Sequence, residues 1–246
     1  MLFWKFRRQV LPFVLVSLLA LSACSQSGEV ASSASPSSDG SPAATAEQFA
    51  GLPQLKGTAT VVMVVKGSPI TIEVDGNDAP ITAGNFVDLA ERGLYDGTSF
   101  HRVVRQPEPF VVQGGDPLSK DPETPVSRLG TGSYIDPETQ QPRYIPLEIK
   151  PEGADEPVYG ETLAQAGVDA MPELTHRRGA VAMARSTPPN TASAQFYFAL
   201  TDLDFLDGNY AVFGYVTEGM EVVDNIEQGD RIDSVTVTEG LENLQR

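Results

Sequence analysis

From residue 58 onward the chain breaks into short β-branched and apolar runs stopped by glycine or proline, and this pattern restricts it to a mainly β fold. The first run, Thr60-Val-Val-Met-Val-Val65, is halted by Lys66-Gly67-Ser68-Pro69. Ile70, Ile72 and Val74 then alternate with Thr71 and Glu73. Alternation of period two puts one set of side chains on one face of a strand, so these runs predict a hairpin with a single buried side. Similar runs at 99–104, 110–113, 179–184, 195–200, 210–216 and 234–238 raise the expected strands to eight. Helical spacing occurs twice. At 81–92, Phe86, Leu89 and Ala90 share a face, with Asp78, Pro80 and Thr82 near the start and Gly93 at the stop. At 220–226, Met220, Val223 and Ile226 recur every third residue. Eight strands and two helices within 58–240 predict a closed antiparallel barrel capped by two helices, an architecture that leaves no strand edge exposed.

Residues before 58 concern address more than fold. Lys5, Arg7 and Arg8 precede an apolar run at 10–21, too short to span a bilayer comfortably and suited to an export signal. The run ends Leu21-Ser22-Ala23-Cys24, which resembles the bacterial lipobox, whose cysteine receives a diacylglycerol and becomes the mature N-terminus. Residues 1–23 are therefore expected to be a lipoprotein signal peptide and Cys24 the lipidated residue. Ser, Ala, Gly and Pro dominate the following stretch, so 24–57 reads as a flexible linker. The protein is expected to be exported and lipid-anchored to a bacterial membrane, facing the periplasm.

Charge narrows the function classes. Lys and Arg number 17 against 33 Asp and Glu, a net charge of −16, which argues against a nucleic-acid surface. Cys24 is the only cysteine and His101 and His176 the only histidines, so neither a disulfide framework nor a structural zinc site is expected. Prolines from Pro117 to Pro172 punctuate an irregular stretch at 117–178, read as a long insertion, either a solvated acidic loop or a docking element. Residues 241–246 are expected to be a tail.

Chemistry concentrates in three segments: Phe100-His101-Arg102-Val103-Val104 with Phe110-Val-Val-Gln-Gly-Gly-Asp116; Met183-Ala184-Arg185-Ser186 leading to Gln195-Phe-Tyr-Phe198; and Phe205-Leu-Asp-Gly-Asn-Tyr210 with Ala211 to Gly214. Together, in this order, they resemble the cyclophilin family of peptidyl-prolyl cis/trans isomerases across about 60–237. The resemblance implies that Arg102 is the catalytic arginine and Gln113 its partner. Phe110, Val111, Tyr197, Leu206 and Tyr210 would wall a proline pocket with Phe205 beside it. Ala184, Arg185, Ser186 and Gln195 would line the groove for residues before the proline. It implies no cofactor and no metal, proline-containing unfolded or partly folded polypeptides as partners, and a monomer. A proline-binding chaperone or scaffold with little turnover is the alternative.

Strand geometry fits part of this. Gln195 and Tyr197 point opposite to Phe196 and Phe198, so one face can be groove and the other core. Phe110 and Val111 are both needed at the pocket, so the chain must turn between them. His101 is expected to make a structural hydrogen bond, and Asp116 and Asp207 to be turn residues, Asp207-Gly208 being a common turn signal. Four departures from the family stand out. Arg105 to Pro109 lengthen a loop and leave the Arg102–Phe110 distance open. Phe205 replaces the tryptophan of many eukaryotic members, so weak binding of the inhibitor cyclosporin is expected. Tyr197 and Tyr210 replace the usual phenylalanine and histidine. Arg185 replaces the asparagine of many eukaryotic members, as in bacterial ones. The lipid assignment predicts that Cys24→Ser moves the protein from the membrane fraction to the soluble fraction; retention on membranes after this change would discard it.

Overall fold

The structure is a computed structural model that describes residues 45–246. The expected signal peptide, Cys24 and the expected linker up to residue 44 lie outside the described residues. Eight strands form the main sheet: β1 (Thr58–Val65), β2 (Ser68–Asp75), β3 (Arg102–Val103), β4 (Val111–Gly114), β5 (Ala180–Met183), β6 (Phe196–Ala199), β7 (Val212–Glu218) and β8 (Ile232–Glu239). Two helices accompany them, α1 (Pro80–Glu91) and α2 (Met220–Asp224).

The β1–β2 hairpin forms because Ala59, Val61, Met63 and Val65 on one strand meet Ile70, Ile72 and Val74 on the next, all buried. Its two-residue turn puts Lys66 at φ 51° and Gly67 at φ 75°, the doubly left-handed turn that matches strand twist. Neighbours in the sheet run β8-β1-β2-β7-β5-β6-β4-β3, and every pairing is antiparallel.

The expected closure does not occur. β8 and β3 end the sheet without a ladder between them, leaving an open half-barrel; across the gap, residues 97–100 meet 229–232 through an isolated bridge between Ser99 and Arg231 and the backbone hydrogen bonds around it. The cause lies in the run expected at 99–104, which divides: Arg102 and Val103 pair as a strand on one side, while the residues up to Phe100 bond to 229–232 on the other side without forming a ladder.

One sheet face packs on α1 around an aromatic cluster. Phe86 lies 4.9 Å from Phe213 and 5.5 Å from Phe196 between ring centroids, and Tyr95 lies 5.1 Å from Phe86. The other face carries a smaller apolar set containing Val111, Ala182, Tyr197 and Val212. Helix α1 is buried along 81–90 instead of on one stripe, because further chain covers its outer side. Leu55 is fully buried, Gln54–Leu55 pair with Leu244–Gln245, and Phe49 meets Tyr159 at 5.9 Å. The folded unit therefore starts before residue 58 and continues past 240, in contrast to the expected linker and tail boundaries. A Cβ on Gly84 would lie 2.5 Å from the Gln54 backbone, so this crossing requires glycine.

The 117–178 insertion is also bound to the body. Leu147, Ile149 and Leu163 are buried against Ala211. Arg143 reaches the buried Asp88 on α1, which also receives Arg92 and Arg246. Burial works to raise the Asp88 pKa, but the three arginine hydrogen bonds outweigh it and hold the carboxyl below its ordinary value. The start of α1 has no side-chain cap of its own. Glu148 supplies one from the insertion, accepting from the Ile81 and Thr82 N–H groups at 3.0 and 2.7 Å. Burial pushes the Glu148 pKa from 4.5 up to about 6 despite these donors. The folded protein then holds this proton more tightly than the unfolded chain, so stability falls as pH rises from about 4.5 to about 6, by about 2 kcal/mol. Urea melts of the protein and of Glu148→Gln at stepped pH should differ by this slope, and a difference that rises with pH would contradict it.

Candidate active site

Strand β4 brings the first two residues together. Arg102 pairs directly with Gln113 across the β3–β4 ladder, so their side chains leave the sheet on one face. Arg102 Nη1 donates to Gln113 Oε1 at 3.3 Å, and Gln113 Nε2 donates to Gln195 Oε1 at 3.1 Å. Gln195 Nε2 completes the line by donating to the Gly132 carbonyl at 2.9 Å. Arg102 is exposed at its end of this chain, and its guanidinium carbon lies 5.5 Å from the Phe110 ring centroid. That distance answers the question raised by the longer loop. Arg105 anchors the loop by donating to the Val223 and Asp224 carbonyls at the end of α2.

Phe110 and Val111 both serve the pocket through a local irregularity. The Phe110 N–H donates to the Val104 carbonyl while the Val104 N–H donates to the Val111 carbonyl. Two residues thus oppose one, as in a β-bulge, and the strand turns as expected. A cavity of about 350 Å³ opens here, lined by Arg102, Phe110, Val111, Gln113, Ala184, Arg185, Tyr197, Leu206 and Tyr210. Tyr197 is buried on β6 and meets Tyr210 edge-on at 6.2 Å. Phe205 does not line the cavity. It is 69% exposed and stacks beside Phe110 at 6.0 Å and 17°, extending an apolar shelf outward.

A second cavity, of about 290 Å³, continues past Gln113 and Ala184. Arg185, Ser186 and Gln195 line it, joined by Gly130 to Ser133 and Tyr144 from the insertion. Arg185 is braced: its guanidinium lies 4.6 Å from the Tyr210 centroid and donates to the Asn209, Ser186 and Thr187 carbonyls. The insertion therefore builds one rim of the groove. Sequence reasoning missed this rim, as well as the part of Asp116, because polar loop residues carry no periodic signal. Asp116 is fully buried and accepts from the N–H groups of Leu118, Gly130 and Gly132. A Cβ on Gly132 would collide with that carboxylate. His101 is buried, and burial lowers its pKa.

This fold and groove define a class. The family profile described as cyclophilin type peptidyl-prolyl cis-trans isomerase/CLD matches residues 60–242, and the chain belongs to that family. It is 45% identical over 214 residues to a Synechocystis protein named "Putative thylakoid lumen peptidyl-prolyl cis-trans isomerase", covering 82% of this chain and 53% of that one. It is 39% identical over 224 residues to the chloroplastic peptidyl-prolyl cis-trans isomerase CYP38 of Arabidopsis thaliana, covering 84% and 48%. The chain thus spans about half the length of these two relatives. A Helicobacter pylori peptidyl-prolyl cis-trans isomerase is 34% identical over 190 residues, covering 76% of this chain and 92% of that one. The crystal structure of a Cryptosporidium parvum cyclophilin superposes with a TM-score of 0.54 at 23% identity, over 74% of this chain and 98% of that one, which shows the shared fold.

The Asp116 geometry makes a prediction. Asp116→Ala leaves buried N–H groups without an acceptor and should lower stability by about 1–3 kcal/mol in a urea melt. An unchanged midpoint would mean that the 130–132 loop is held by other contacts.

Proposed function

We propose that the domain accelerates cis/trans isomerisation of X–Pro bonds in exported, unfolded or partly folded polypeptides, without a covalent intermediate or cofactor. The supporting observation is the Arg102 guanidinium tethered by Gln113 at the rim of a pocket of about 350 Å³ walled in part by Phe110, Val111 and Leu206. Resonance gives the X–Pro amide a barrier of about 18–20 kcal/mol, and free isomerisation takes tens to hundreds of seconds. At the twisted state the prolyl nitrogen leaves conjugation and regains a lone pair. A held guanidinium that donates there binds the twisted state more strongly than either planar state, which is the condition for catalysis. Arg102 would be this donor, permanently charged, with Gln113 and behind it Gln195 fixing its direction. Phe110, Val111, Tyr197, Leu206 and Tyr210 would grip the proline ring. Ala184, Arg185, Ser186 and Gln195 would carry the preceding residues in the second cavity.

Export with lipid attachment at Cys24 and a domain facing the periplasm belongs to the same reading. Its support is the basic, apolar and small-residue order before the only cysteine, together with relatives named for the thylakoid lumen and the chloroplast. From Cys24 onward the net charge is −19, so attachment through lipid is consistent with a domain repelled by anionic headgroups.

Arg102→Ala should reduce kcat/KM on a proline tetrapeptide by roughly 10²–10³-fold, the cost of losing one donor at a developing lone pair. The side chain is exposed, so the melting temperature should hardly move. Equal turnover in the variant would discard the mechanism and leave a proline-binding module.

A further inference from the structure

Beneath the proline pocket lies a buried imidazole that the isomerase chemistry does not use. His176, near the end of the insertion, is 1% exposed. Asp207 Oδ1 accepts from both the His176 backbone N–H at 2.8 Å and its Nδ1 at 2.7 Å. A proton held on Nδ1 by this carboxylate leaves Nε2 as an acceptor, and the Tyr197 hydroxyl donates to it at 2.9 Å. The two rings are 13° from parallel with centroids 6.1 Å apart. Burial lowers the His176 pKa against the pull of Asp207, and burial raises that of the Tyr197 phenol, so a neutral imidazole faces a protonated phenol.

This dyad joins two walls of the pocket that no ladder connects. Tyr197 belongs to β6, while Asp207 follows Leu206 on the loop that continues to Tyr210. The usual phenylalanine at the Tyr197 position has no hydroxyl, so the link accompanies one of this chain's departures from the family pattern.

We propose that His176, oriented by Asp207, is a positioning residue that fixes the spacing between Tyr197 and the Leu206 wall. The role rests on the isomerase reading. A pocket with slack can still close on a planar proline, but it yields to the torque of the twisting bond. Loss of the link therefore falls on turnover more than on binding.

The test is a double-mutant cycle on kcat and KM with a proline tetrapeptide. His176→Leu should lower kcat about fivefold or more with KM within about twofold, and in the Tyr197→Phe background its effect should shrink to less than about twofold. His176→Gln, which can offer an N–H to Asp207 and an oxygen to Tyr197, should recover most of the loss. Asp207→Asn, which releases the tautomer, is the second route if His176→Leu does not fold, and its loss should likewise depend on the Tyr197 hydroxyl. Equal losses in both backgrounds, or a loss confined to KM, would overturn the role. An unmodified protein without turnover would overturn the isomerase reading and this role with it.

Discussion

The two-residue period of one strand governs both the core and the groove. On β6, Phe196 and Phe198 enter the aromatic cluster around Phe86 while Tyr197 enters the opposite face, with Gln195 just ahead of it on that side. A slip of one residue would exchange a phenol for a benzyl ring in the pocket and place a hydroxyl in the dry core. Burial of Phe196 and Phe198 therefore sets the register, and register in turn sets which groups face a bound chain. Stability and chemistry are specified by alternate residues of the same short segment.

From that face the polar order spreads outward by hydrogen bonds. Asp116 holds the 130–132 loop, Gly132 receives Gln195, Gln195 receives Gln113, and Gln113 receives Arg102. Each amide both gives and accepts, so its orientation follows from its neighbours. A flexible arginine on an exposed strand thereby acquires a direction from a buried carboxylate several residues removed. The insertion takes part in this order, since it supplies Gly132 to the relay and Glu148 to the start of α1.

Much of the β architecture was legible in the sequence because period-two alternation survives in isolated strands such as β1 and β2. Helix α1 was also legible, but its burial on all sides was not, since the covering segments at 54–55 and 244–245 are too short to carry a period. Closure was misjudged because the run at 99–104 does not reveal that Arg102 and Val103 alone form a regular strand, the residues before them meeting 229–232 without a ladder. Local motifs marked the residues expected to wall a pocket, and the structure gathers all of them except Phe205 into one cavity lining. Asp116, the 130–133 rim and the His176–Asp207–Tyr197 link were hidden, because they join polar residues distant in sequence, and a polar loop residue looks the same whether its partner is protein or water.

The open sheet gives Arg102 an unusual thermodynamic address. It lies on the last strand, beside a single neighbour, in a ladder of only two residue pairs. Local opening of such an edge costs far less than global unfolding, so the segment around Arg102 belongs to the low-stability end of the molecule. Arg102 and the aromatic core thus occupy opposite ends of one energy scale. Amide exchange would register them as fast and slow protons of the same sheet.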